Sequence, residues 1–136
     1  MLMEGWALYL EQRARETGAL AGNIAHLRQL QLTLWSVARI LVDVGLHTGK
    51  LTEAQATTLL TARVGMVAGA AALEISAAID RPGAQLGYMG MVELLRIRDD
   101  LQSRRGAQFS VTDFHDRLLK TGPLPPALVR AALMPQ

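Results

Sequence analysis

Asn23 to His47 reads NIAHLRQLQLTLWSVARILVDVGLH, and this stretch decides the fold. It contains no proline, and Ile24, Leu27, Leu34, Trp35, Ala38, Leu41 and Val42 recur at the spacing that places them on one face of a helix. Asn23 suits the N-cap, because a short side-chain oxygen there can accept a backbone N–H of the first turn. The segment therefore predicts the longest helix of the chain, with Leu34, Trp35, Leu41 and Val42 packed in the middle of the fold. Upstream, residues from Met3 to about Glu16 are rich in good helix formers and stop at Thr17-Gly18. Downstream, Thr52 begins a third helix, with Glu53 favourable near its positive end, and Gly65 closes it after Val64.

The small side chains of Ala68, Gly69, Ala70, Ala71 and Ala72 predict a helix over 67–79 that approaches its neighbours closely and lies centrally. Pro82 suits the first turn of a fifth helix, extended to about Arg104, with the DRPG stretch as the turn before it. Ser110 or Thr112 caps a sixth through Lys120, GPLPP forces a turn, and a last helix covers about 126–133. No internal repeat and no useful strand-like alternation occurs. The reading is all-α: about six or seven helices in a single helical domain, residues 1–136.

Composition removes several function classes. With 136 residues, half of them hydrophobic, the chain can bury roughly two thirds of its unfolded surface around a core. The net charge is only +2, the basic residues are scattered apart from Arg104-Arg105, and the aromatics amount to two each of Trp, Tyr and Phe. Nucleic-acid binding, which asks for a basic stripe with stacking rings, is not expected. No cysteine is present, so disulfides and thiolate metal sites are excluded. The longest uncharged apolar stretch, Val64 to Leu73, is about half of what a membrane helix needs, so no span is expected. The N-terminus lacks the pattern of a signal peptide, which makes the chain as written cytoplasmic.

The residues alone give little chemistry. His26, His47 and His115 show no paired ligand spacing, and there is no Ser/His/Asp set and no glycine-rich phosphate loop. Taken by itself, Glu4 reads as a carboxylate favouring a helix start.

Four blocks, in order, change that reading. Glu4 to Glu11, EGWALYLE, resembles the E-G-W-A-L-Y-x-E motif of a bacterial family of predicted zinc metallopeptidases, the domain of unknown function 885 family. Arg39 to His47, RILVDVGLH, resembles its R-L-V-x-D-x-G-L-H. RPGAQLGYMG around Tyr88 resembles its P-G-Q-x-L-x-Y-x-x-G, and FSVTDFHDRLLKTGPLP resembles its F-x-x-x-x-F-H-D-x-L-L-x-x-G-x-L-P.

The resemblance implies a metal centre of which this chain holds a part. Family members carry an upstream H-E-x-x-P-G-H segment whose histidines bind zinc and whose glutamate activates water; the glutamate of E-G-W is the third protein ligand, and Glu4 matches it. Zinc is thus implied for the complete parent, and none is expected to bind tightly to this chain alone, since a catalytic centre needs about three protein ligands. The chain resembles the C-terminal part of such an enzyme, contributing the metal ligand Glu4 and part of a peptide cleft, and inactive by itself. Its implied partners are the missing N-terminal half or a second copy of itself, and a peptide substrate in the complete enzyme. The parent belongs to a family whose members are often exported.

Arg39, Asp43 and His47 form one polar row at i, i+4 and i+8. Read functionally, the row faces substrate or supports the metal ligands; read structurally, it is an ion pair plus a histidine at a helix C-terminus. Tyr88 is either a donor to the oxyanion of a tetrahedral intermediate, as a tyrosine is in similar helical metallopeptidases, or a core tyrosine beside Gly87 and Gly90. Gln85 is grouped with the Arg39 row as facing substrate or supporting the metal ligands, and His115 reads as a structural histidine. The chain departs from the family where E-x-x-R-Y becomes Glu74-Ile75-Ser76-Ala77-Ala78 and where P-G-Q becomes Pro82-Gly83-Ala84 with Gln85 one place later. A non-catalytic helical interaction module, able to self-associate, is the alternative function.

Overall fold

Helix boundaries follow local chemistry at nearly every junction. The computed structural model describes residues 2–84 and 86–134 and contains, among these, seven α-helices and no strand. They are α1 (Leu2–Glu16), α2 (Asn23–His47), α3 (Glu53–Thr58), α4 (Ala68–Asp80), α5 (Gly87–Arg105), α6 (Val111–Thr121) and α7 (Pro126–Leu133). A π-helical turn, Leu59–Arg63, prolongs α3, and a 3₁₀ turn, Gly106–Gln108, follows α5. The all-α expectation is met, and so is the order of the helices.

Thr52 caps α3 through a reciprocal pair: its hydroxyl accepts from the Gln55 N–H while the Gln55 side chain accepts from the Thr52 N–H. Ser110, rather than Thr112, caps α6 by accepting from the Asp113 N–H at 3.2 Å. Two boundaries differ from the sequence reading. Asn23 is the first helical residue of α2, and Gly22 takes the cap position at φ 102°, with no side-chain cap bond. Pro82 lies in a turn rather than in α5, which starts at Gly87. The reason is Gly83: its φ of +77° is incompatible with a right-handed helix, and its N–H donates across the fold to the Asp43 carboxylate at 2.8 Å.

Two hydrophobic cores result. One gathers Tyr9, Met91, Leu94, Ile97, Leu101, Phe114, Leu118, Val129 and Leu133 from α1, α5, α6 and α7. The other gathers Ala38, Val42, Ala56, Leu60, Ala71, Ile75 and Ala78 from α2, α3 with its π turn, and α4. The expected close approach of the small-residue segment is met only at Ala71: Ala68, Gly69 and Ala72 are exposed, nothing lies within 4 Å of a Cβ on Gly69, and the buried side of α4 continues through Ile75 and Ala78 instead. The apolar row of α2 is the main correction: Ala38 and Val42 are buried, yet Ile24, Leu27, Leu34 and Leu41 are 74%, 66%, 46% and 53% exposed. Geometry accounts for this. At about 1.5 Å per residue, α2 is roughly 37 Å long and α4 roughly 20 Å, so the N-terminal half, with Ile24, Leu27 and Leu34, extends past α4, while Leu41, one residue before buried Val42, stays exposed at the edge of the covered face.

Candidate functional site

Gly5 sets the position of Glu4. It is buried in α1, and a Cβ at this position would lie 2.5 Å from both Gly90 C and Met91 N of α5. The two helices therefore meet backbone to backbone, a distance only glycine permits. One turn away the contact repeats: a Cβ on Gly87 would lie 2.8 Å from Glu4 Cβ. Glu4 is in this way seated against the first turn of α5, next to Tyr88.

These residues face α2 across a cleft of about 300 Å³ lined by Glu4, Ala7, Leu8, Ser36, Arg39, Ala84, Gly87 and Tyr88. Three sequence-predicted site residues, Glu4, Arg39 and Tyr88, are thus brought together from α1, α2 and α5. Gln85 lies outside the described residues.

Arg39 is held on two sides. Its guanidinium stands 4.6 Å from the centroid of the Trp35 ring, a cation–π contact. Its Nε donates to Glu74 Oε2 at 2.7 Å and its Nη2 to Glu74 Oε1, giving a two-bond pair between α2 and α4. Glu74 did not stand out as a site residue in the sequence, although two signals were there: it keeps the glutamate of the altered E-x-x-R-Y segment, and it is the single charge in the first twelve residues of α4, AGAAALEISAAI. The indole Nε1 of Trp35 is buried with no hydrogen-bond partner among the described residues.

Asp43 and His47 lie farther along α2 and do not line the cleft. Asp43 is 4% exposed; besides the Gly83 N–H, it meets His47, whose Nδ1 lies 2.9 Å from Asp43 Oδ1 and 2.8 Å from the Asp43 backbone oxygen. The Asp43–Gly83 bond fixes the turn after α4, and that turn carries Ala84 to the cleft rim.

His115 belongs to an aromatic cluster in the first core. It shares a 2.8 Å hydrogen bond with the hydroxyl of fully buried Tyr9 and stands edge-on to Trp6 and Tyr9. Burial first, then the Arg13 charge, holds the His115 pKa below its ordinary value. Burial likewise pushes the Tyr9 hydroxyl up, against the opposing pull of Arg98. His115 sits in this cluster as a hydrogen-bonded structural side chain.

A zinc ion asks for several converging ligands, and the described residues do not provide them: no three of His, Asp and Glu come together as a metal-holding group. Glu4 is one carboxylate in a cleft whose other polar groups are a guanidinium and hydroxyls. No helix among the described residues is long and apolar enough to cross a membrane.

The helical arrangement has a close counterpart. The crystal structure of "the putative lipoprotein from Colwellia psychrerythraea" superposes with a TM-score of 0.89 at 35% sequence identity, over 96% of this chain and 23% of that one. The chain thus spans less than a quarter of the length of this relative. Among curated proteins none matches. The family described as "Bacterial protein of unknown function (DUF885)" matches residues 1–133, and the chain belongs to it.

Proposed function

We propose that this chain is the C-terminal part of a zinc-dependent peptidase, supplying one metal ligand, Glu4, and one wall of the peptide cleft. The observation that carries this is the convergence of Glu4, Arg39 and Tyr88 on one cleft from three helices. Each matches a different block of the resemblance, and Gly5 and Gly87 supply the close packing that brings α1 against α5. The 23% coverage of the Colwellia relative accords with further ligands and the general base lying elsewhere in a longer protein. In this reading Tyr88 stands ready to donate its hydroxyl to an oxyanion at the cleft. Asp43 and His47 hold the turn behind it. On the relative's description as a lipoprotein we also infer that the longer parent is exported.

The test is reconstitution. The purified chain is titrated with zinc by calorimetry and assayed on a mixed peptide library, alone and with a separately made upstream half carrying the H-E-x-x-P-G-H segment. Stoichiometric zinc binding and hydrolysis that arise only on mixing, and vanish in Glu4→Gln, support the reading. Sub-micromolar zinc binding by the chain alone, or mixing without activity, overturns it.

A second reading is a non-catalytic, self-associating helical module. The exposed side of α2, with Ile24, Leu27 and Leu41, favours it, since apolar rows of this kind commonly meet a partner. Concentration-dependent dimerisation that is lost in Leu27→Glu, together with failed reconstitution, would select this alternative.

A further inference from the structure

Arg39 has more hydrogen-bonding capacity than its ion pair uses. A guanidinium carries five N–H donors, arranged so that a carboxylate can dock along the side, on Nε and one Nη, or at the end, on both Nη atoms. Glu74 takes the side edge, through Nε and Nη2. The end edge, with one Nη1 donor and the second Nη2 donor, makes no hydrogen bond to the described residues, and neither does the remaining Nη1 donor. Arg39 also lines the cleft that holds Glu4 and Tyr88.

The surroundings fix this group before any ligand arrives. The Trp35 ring lies against it at 4.6 Å, and Glu74, itself only 16% exposed, holds it from α4. A long, flexible side chain normally loses rotamer freedom on binding; here that loss has already occurred in folding. Glu74 also compensates the cation in its half-buried position, so an incoming anion meets an oriented fork.

We propose that the end edge of Arg39 reads the carboxylate of a ligand seated in this cleft, with Glu74 as its positioning residue. The ligand class is a short peptide segment ending in a free α-carboxylate. A cleft of about 300 Å³ lies at the small end of ligand sites, which suits a terminal residue or two better than the interior of a long chain. Resting on the peptidase reading above, the substrate assignment follows: the parent cleaves close to a free C-terminus, and Arg39 holds that terminus while Glu4 serves the reacting end.

The experiment separates the two ideas because its binding readout uses no metal and no activity. The uniformly ¹⁵N-labelled chain is titrated with N-acetyl-Gly-Gly as the free acid and, in parallel, as the C-terminal amide. The acid should shift the Arg39 Nε–H and the Gly87 and Tyr88 amides, saturably, with at least about tenfold higher affinity than the amide, the worth of a charge-assisted hydrogen bond. Arg39→Lys keeps the charge but not the fork and should bind the acid about tenfold more weakly. The double variant R39Q/E74Q removes the pair together, leaving no buried lone charge, and should lose the preference for acid over amide while its circular dichroism stays unchanged. Equal affinity for acid and amide, shifts away from the cleft, no shift at all, or undiminished binding by Arg39→Lys each overturns the carboxylate site. Acid-selective binding combined with failed reconstitution keeps the site and removes the peptidase reading. A reconstituted enzyme that cleaves amidated and free-acid peptides equally removes the substrate assignment.

Discussion

Gly5→Ala adds a single methyl group where two helices already touch. In an unobstructed helix the change would be favourable by about 1 kcal/mol, because alanine loses less backbone entropy than glycine. Here the new Cβ would stand 2.5 Å from two backbone atoms of α5, against about 3.5–4.0 Å for a relaxed carbon contact. Neither obstacle is a side chain that can rotate away, so α1 and α5 must separate by about 1 Å at this point. Tyr9 and Leu94, both fully buried in the core between them, would lose contacts. Overpacking of this kind costs about 1–3 kcal/mol; taking the upper end for a backbone obstacle, and subtracting the helix gain, leaves a net loss of about 2 kcal/mol. For a chain of this size that corresponds to a fall in Tm of about 6–10 °C. Gly69→Ala is the matched control: nothing lies within 4 Å of a Cβ there, so it should be neutral or stabilising by up to about 1 kcal/mol. Thermal unfolding by circular dichroism reads both. A Gly5→Ala chain as stable as the parent, or a Gly69→Ala chain that falls just as far, would refute the steric argument.

Three further outcomes can be measured. Tyr9→Phe removes the hydroxyl bonded to His115 and should lower stability by about 1–2 kcal/mol in urea, part of it from the imidazole nitrogen left without its partner; an unchanged midpoint would count against that bond. Because burial holds His115 below its ordinary value of 6.5, the unfolded chain takes up this proton first on acidification. Its contribution to stability is therefore complete above that value and is lost as pH falls through the lower folded pKa, and His115→Gln should flatten that part of the Tm–pH curve. Asp43→Ala removes the buried carboxylate that accepts the Gly83 N–H and should cost about 1.5–3 kcal/mol, the worth of a hydrogen bond to a charged group, with amide exchange at Gly83 accelerated well beyond that of its neighbours.

What the sequence carried well was local. Helix-forming runs, the Thr52 and Ser110 caps and the positive-φ glycine at position 65 are encoded within a few residues, and those helices lie where the pattern puts them. The apolar row of α2 is core only at Ala38 and Val42, since periodicity says which residues share a face but not how much of that face a neighbour covers. Pro82 failed for a related reason: the turn that holds it depends on Asp43, forty residues earlier, and no local rule contains that bond. At the cleft, Glu4, Arg39 and Tyr88 were legible through motif order. Glu74 was legible only as the retained glutamate of the altered E-x-x-R-Y segment and as the lone charge in an alanine-rich helix, because its pairing exists only once α4 lies against α2. Nor did His47 join Glu4 and Tyr88 at the cleft, since two helical turns along α2 carry it past the rim.

The division of the interior into two clusters that share no buried residue bears on how this molecule opens. Cooperative units of a fold are set by what is packed together, and amide exchange can resolve them as separate opening reactions. The α1/α5/α6/α7 unit and the α2/α3/α4 unit should therefore exchange with distinct opening free energies. The cleft lies on the seam, with Glu4, Gly87 and Tyr88 contributed by one unit and Ser36 and Arg39 by the other. Any molecule gripping both walls is worth nothing to either unit when they open apart, so its binding energy adds directly to the work of separating them. Slowed exchange in both units at once, in proportion to occupancy, would then be the mark of a ligand bound across that seam.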